Sequence, residues 1–122
     1  MAGVLIGTLS LTNFGATHRT HTSDALDATN TASTVTCAIG GAQNVTMQAV
    51  TASLTGTIQF KLQCSNDSSN FTDIPGATGS INTAAGNSYV HLIAAPGIYL
   101  KFVVTSAGGA GTITPSFTMK GC

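Results

Sequence analysis

The chain has 122 residues, with four basic side chains (Arg19, Lys61, Lys101, Lys120), four aspartates (Asp24, Asp27, Asp67, Asp73) and no glutamate. A length of this order is one domain and buries enough apolar surface to fold without metal or disulfide support. Zero net charge leaves no basic patch for nucleic acid or an anionic membrane, and no apolar run approaches the ~18 residues of a membrane span.

Threonine, serine, alanine, glycine and asparagine dominate what is left. A surface this neutral invites association, which suits a subunit whose partners cover much of it. The opening MAGVLIGTLSLTNFGATHRT is apolar but has no basic segment before its apolar run. It is interrupted at Thr12 and Asn13, so it does not read as a signal peptide. Leu5, Gly7, Leu9 and Leu11 predict a first strand, made apolar on both sides by Val4 and Ile6. That strand is expected to complete a sheet or cross to a neighbour.

The stretch from Ala16 to Ser33 has few large apolar residues and carries His18, Arg19, His21, Asp24 and Asp27. Ser23 is placed to cap a helical turn through Asp27, but the segment as a whole predicts a long exposed loop or arm lying along a partner subunit. Val35, Cys37 and Ile39 then make a short strand, and Val45, Met47 and Ala49 another. In TIQFKLQC, Ile58, Phe60, Leu62 and Cys64 share one face; Thr57, Gln59, Lys61 and Gln63 share the other. Residues Phe71 to Ile74 and Tyr89 to Ile93 read as further strands. In GIYLKFVVT the inward set is Ile98, Leu100, Phe102 and Val104.

In the last run Ile113, Phe117 and Met119 alternate with Thr112, Thr114, Ser116 and Thr118. Pro115 within it predicts an edge strand or a local irregularity. Turn residues fall between the runs, at Gly40-Gly41, residues 65–70, Pro75-Gly76, Pro96-Gly97 and Gly108-Gly109. The fold class that follows is all-β: a single antiparallel β-sandwich of about eight strands, jelly-roll-like or Ig-like, with an extended N-terminal loop or arm. Residues 1–33 supply the first strand and the arm, and residues 34–122 the sandwich core.

Candidate chemistry is sparse. His18, His21 and Asp24 are spaced by three, yet a metal needs three or four convergent ligands with a fixed second shell; the segment reads as a polar loop. His91, between Val90 and Leu92, alternates onto the polar side of its strand. There is no GxSxG elbow, no cysteine with a histidine nearby in sequence and no glycine loop opening a helix for phosphate. The four aspartates are scattered, with Asp67 and Asp73 at turn-like positions, and do not read as a carboxylate pair. No catalytic residue, metal or cofactor is expected, and the chain is read as a non-enzyme.

Cys37 and Cys64 read as small buried hydrophobes, bridged only if their strands face each other closely. Cys122 is the thiol expected to react. Sequons at Asn44, Asn66 and Asn70 matter only in a secreted protein. Phe60, Phe102 and Phe117 belong to the core by alternation, which leaves Tyr89 and Tyr99 as the aromatics with a polar handle for the surface. The candidate interface is His18, Arg19, His21, Asp24, Asp27, Tyr89 and Tyr99.

The most distinctive stretch is FKLQCSNDSSNFTDIPGAT, Phe60 to Thr78. Asn66, Asp67 and Asn70 are the turn-structuring residues, and Phe71 and Ile74 are expected to pin the return strand to the core. This hairpin resembles one common in small β-sandwich virion proteins of bacteriophages, where a polar-Leu-Gln-x-Ser-Asn-Asp-Gly strand end leads into Asn-Trp-x-Asp-Ile. Tyr99 to Val103 and Gly111 to Ile113 are similar to their closing strands. The resemblance spans Gln43 to Lys120, with Ser68 in place of the glycine and Phe71 in place of the tryptophan.

It implies a non-enzymatic virion structural protein, most specifically a capsid decoration (cement) protein stabilising capsomer junctions. Its partners would be the major capsid protein or other virion subunits, its state a homo-oligomer, and its place the virion, assembled in the host cytoplasm. A tail, fibre, penton or minor capsid role is the nearest alternative. A carbohydrate-binding β-sandwich module is the alternative outside the virion.

Overall fold

Period-two alternation emerges as strands throughout the computed structural model, which describes residues 7, 9–13, 18–39, 44–92 and 98–120. Ten strands and no helix occur among the described residues. They are β1 (Leu9–Asn13), β2 (His18–Ser23), β3 (Leu26–Asp27), β4 (Thr34–Ala38) and β5 (Asn44–Thr55), then β6 (Ile58–Ser65), β7 (Thr72–Ile81), β8 (Asn87–Leu92), β9 (Tyr99–Ser106) and β10 (Ala110–Lys120).

All pairings are antiparallel. One sheet has six strands in the order β1-β2-β10-β5-β8, with β3 also on β10; the other has four, β4-β9-β6-β7. From β2 to β10, with β3 set aside, the chain crosses between the sheets after every strand except at the β6–β7 hairpin. The resulting orders, β2-β10-β5-β8 against β4-β9-β6-β7, are the two facing sheets of a jelly roll. Of the two sandwich types open from sequence, the chain adopts this one.

The inward faces meet in a core that follows the alternation closely. Val35, Cys37 and Ile39 are buried, as are Val45, Met47 and Ala49, Ile58, Phe60 and Leu62, Leu100, Phe102 and Val104, and Ile113, Phe117 and Met119. Phe60 and Phe102 stack at a tilt, with ring centroids 5.1 Å apart. Each such large side chain stabilises the fold by roughly 1.5–3 kcal/mol through burial alone. Thr51, buried on β5, accepts a hydrogen bond from the Gly86 amide at 2.9 Å and donates to the Thr83 carbonyl at 3.1 Å. This ties the β7–β8 connection to the six-stranded sheet.

Three expectations are corrected, and one alternative is resolved. The stretch from Ala16 to Ser33 is not an exposed arm: from His18 onward it builds β2, lying between β1 and β10, and β3 on β10. Leu26, Asp27, Ala28 and Ser33 are buried, and the Ser23 hydroxyl donates to the Asp24 carbonyl at 2.8 Å and caps no helical turn. Pro115 is not on an edge strand, since β10 has neighbours on both sides. It falls instead at the irregularity, opposite the break between Thr22 and Leu26, where β10 lacks a partner on that side. The missing proline amide is tolerated there.

Pro75 and Gly76 do not end a strand; they lie within β7. Lys61 pairs with Thr78 and Gln63 with Asp73, so residues 74–77 bulge out opposite Leu62 alone, with Gly76 at φ 77°. The bulge and its proline blunt this edge of the four-stranded sheet against pairing with another chain. Ile98, expected inward, is 42% exposed. Its backbone joins two segments, accepting from the Ile39 amide and donating to the Ser65 carbonyl, which takes it past the end of the core. The first strand begins at Leu9, and residues 1–6, including Val4, Leu5 and Ile6, lie outside the described residues, as does Cys122.

Candidate functional site

The turn between β6 and β7 is organised by two side chains. The Ser65 hydroxyl, buried at the end of β6, donates to Asp67 Oδ1 at 2.8 Å and accepts from the Asp67 and Ser68 amides at 3.1 and 3.0 Å. Asp67 Oδ1 also accepts from the Ser69 and Asn70 amides at 2.9 and 2.8 Å, and Oδ2 accepts from Asn70 Nδ2 at 2.8 Å. These donors, led by the Asn70 backbone amide, hold the carboxyl far below the usual carboxylate range. A carboxylate so saturated with donors is a structural acceptor and a poor base.

Ser68 takes φ 61°, the conformation that explains glycine at this position in the resembling hairpins. Asn66 is exposed and makes no side-chain hydrogen bond among the described residues. Ser65 takes the role that sequence reasoning gave to Asn66; the readable signal is a hydroxyl two positions before an aspartate at a strand end. Ile74 packs on the core, whereas Phe71 lies half-buried under Lys101, whose Nζ is 5.0 Å from the ring centroid.

Beyond this turn, on the outer face of the four-stranded sheet, is a cleft of about 380 Å³. Gln59 and Lys61 of β6, Thr78 and Ser80 of β7 and Thr105 of β9 line it, over a floor of Phe60 and Gly79. Two bulges shape it. Phe60 pairs with Val104 but Gln59 with Ser106, so Thr105 is an extra residue with nothing opposite it on β6. The β7 bulge at residues 74–77 immediately precedes Thr78 in the chain. Lys61 Nζ is 2.9 Å from Asp73 Oδ1, which also accepts from Gln63 Nε2 at 2.8 Å. The Gln63 amide first, then Lys61, lower the Asp73 pKa, so its carboxylate is held ionised beside the lysine.

The outer face of the six-stranded sheet is flat in chemistry. Thr22, Ser116, Gln48 and Tyr89 form one row across β2, β10, β5 and β8; Thr20, Thr118, Thr46 and His91 form the next. Thr20 Oγ1 and Thr118 Oγ1 are 3.1 Å apart, and Thr46 Oγ1 lies 2.8 Å from His91 Nδ1. The Tyr89 ring is 69% exposed. No carboxylate, lysine or arginine stands in either row.

The residues singled out as an interface are not brought together. Tyr89 lies in the six-stranded sheet and Tyr99, half-buried between Ala38 and Ser65, in the other. His21 is half-buried in the row of Phe117 and Met47, and His18 and Arg19 occupy positions opposite Lys120 and Met119. Asp24 is exposed at the break after β2. Asp27 is buried and accepts from the Thr29 hydroxyl at 2.6 Å and the Thr29 amide at 2.9 Å, the first of which most lowers its pKa. Among the described residues no three His, Cys, Asp or Glu side chains converge. Cys37 and Cys64 oppose Leu100 from either side, with β9 between them. Two strand spacings, roughly 9–10 Å, are too far for a disulfide.

Compared by sequence, no family model and no curated protein matches the chain. Solved structures match it by fold. The K2 cleaved adhesin domain of Lys-gingipain superposes with a TM-score of 0.56 at 12% identity, over 90% of this chain and 76% of that one. The SPBc2 prophage-derived protein YomS gives 0.54 at 13% identity, over 94% of this chain and 93% of that one. The Clostridium thermocellum xylanase 10B structure, with CBM22-1 and GH10 modules and bound xylohexaose, gives 0.50 at 13% identity. That match covers 99% of this chain and 26% of the xylanase. At such identities the fold is what is shared: the chain is a β-sandwich, similar to a prophage-derived protein and to structures containing binding modules.

Proposed function

We propose that the chain is a non-enzymatic structural subunit of a phage particle, and within that class a capsid decoration protein seated on the major capsid protein at capsomer junctions. The observation that carries this reading is the outer face of the six-stranded sheet. Its hydroxyl and amide rows carry no formal charge, so a neighbouring subunit covers them without desolvating an ion. The hairpin at residues 60–78 and the fold shared with the prophage-derived protein support it. Jelly rolls serve in viral capsid and lectin domains alike, so the fold by itself favours neither the virion nor a sugar.

The test is attachment to particles lacking the protein, with copy number measured by mass spectrometry. The expected result is saturation at a number fixed by the capsomer lattice. Thr118→Asp, in the middle of the face, should weaken attachment at least about tenfold while leaving the fold intact, because an unpaired charge buried in an interface costs more than ~1.4 kcal/mol. Absence from intact particles, or unchanged attachment of the variant, would remove this reading.

One observation favours the carbohydrate-binding alternative: the exposed Tyr89 ring, opposite Gln48 and on the same strand face as His91. An aromatic platform flanked by an amide and an imidazole is chemistry that stacks on and hydrogen-bonds to a sugar. Saturable binding on a glycan array that vanishes in Tyr89→Ala would establish it.

A further inference from the structure

We infer that the cleft on the outer face of the four-stranded sheet binds a neutral polyhydroxylated ligand, the terminal unit of a saccharide chain. The two outer faces of a sandwich point in opposite directions. This cleft therefore faces away from the surface assigned to docking, and the inference goes beyond the virion reading.

Three observations carry it. The first is the lining. Gln59, Thr78, Ser80 and Thr105 each donate and accept, which matches ring hydroxyls that also do both. The second is charge. Lys61, the single cation of the cleft, is already paired with Asp73 at 2.9 Å, so an anionic ligand finds no uncompensated charge. The one large apolar side chain of the lining, Phe60, is 1% exposed and offers an apolar ligand little.

The third is the bulge in β9. The bulge in β7 has a structural reason, because β7 is an edge strand. β9 lies between β4 and β6, and its bulge falls just past Val103, where pairing with β4 has ended, on the flank still joined to β6. Its effect is to leave Thr105, already on the outer face, without a β6 partner, so that its hydroxyl and backbone line the cleft. The cleft volume of about 380 Å³ falls at the small end of ligand pockets. With no aromatic platform in it, the affinity should be of millimolar order.

The experiment is a nuclear magnetic resonance titration of the full chain with neutral glucan, xylan, mannan and galactan oligosaccharides, and with a uronic-acid oligosaccharide as charged control. Saturable shifts of the Gln59, Lys61, Ser80 and Thr105 amides are expected with at least one neutral probe. Thr105→Val and Ser80→Ala, whose spectra should otherwise match the parent, are each expected to weaken binding at least fivefold; Tyr89→Ala should leave it unchanged. No shift at the cleft with any neutral probe, or shifts centred on Tyr89, or binding of the charged control alone, would overturn the inference. Particle attachment of Thr105→Val separates the two ideas: lost cleft binding with retained attachment bears on the cleft alone, and failed attachment of the parent on docking alone.

Discussion

Asp67 shows how much one side chain sets in a chain so poor in charge. Four donors to its carboxylate keep it ionised in the folded protein, so its folded pKa lies below the unfolded value of about 3.9. A carboxylate depressed in this way contributes stability that is fully present above the unfolded pKa and is lost as pH falls toward the folded one. Stability from this group should therefore be flat from pH 7 to about 5 and decline below about 4. Asp73 and Asp27, also lowered, act in the same direction. Asp67→Asn should be less stable at pH 7 and show a shallower acid limb, with a residual slope from the other two aspartates. Denaturant unfolding from pH 2 to 7 measures this, and equal limbs in parent and variant would contradict the role given to Asp67.

At the scale of elements, glycine and proline positions divide sharply by cause. Gly111 sits at φ 101° where the β5–β10 register shifts between Ala110 and Thr112, and a Cβ there would stand 2.6 Å from the Ser53 carbonyl oxygen. Gly56 in the β5–β6 turn has φ 76° but no atom within 3.8 Å of such a Cβ. Alanine at Gly56 should cost about 1–2 kcal/mol for its backbone conformation alone; at Gly111 the collision adds to that, so the loss should be clearly larger. Urea titrations of the two variants compare them directly. Strands with a large apolar inward set, such as Ile58-Phe60-Leu62 or Leu100-Phe102-Val104, were legible from alternation because burial demands it. β2 was not. Its described inward positions are His21 and Ser23, and a polar strand held by ladder bonds to β1 and β10 has no hydrophobic period to read. The cleft escaped for a related reason. Thr105 reads as one more outward threonine, and a bulge is a property of register between strands, which a single run of residues does not display.

For the whole molecule, the change of status of residues 16–33 reverses an expectation. A partner-seeking arm could be removed and leave a folded sandwich. As built, that deletion takes away β2 and β3, opens one side of β10 and removes Leu26 and Ala28 from the shared core. Lost burial at Leu26 alone is worth roughly 2–5 kcal/mol, against a total stability of about 5–15 kcal/mol for such a domain. The deleted protein should show no cooperative thermal transition by circular dichroism. A sharp transition near that of the parent would mean that the sandwich tolerates an unfilled side.

The position of β10 has a further consequence, for the order of events in time. It is the spine of the six-stranded sheet, paired with β5 on one flank and with β2 and β3 on the other, and it follows all three in the chain. Translation therefore delivers β2, β3 and β5 to solvent well before the strand that joins them. Until then β2 has only β1 beside it and β5 only β8, and inward side chains such as Met47 and Leu26 lack the strand that joins their sheet. The emerging chain passes through an interval of exposed edges, and closure waits on contacts between residues as far apart as Thr20 and Thr118. Pairings that distant place a small β domain among the slow folders, on the scale of milliseconds to seconds. Low charge is least protective during that interval.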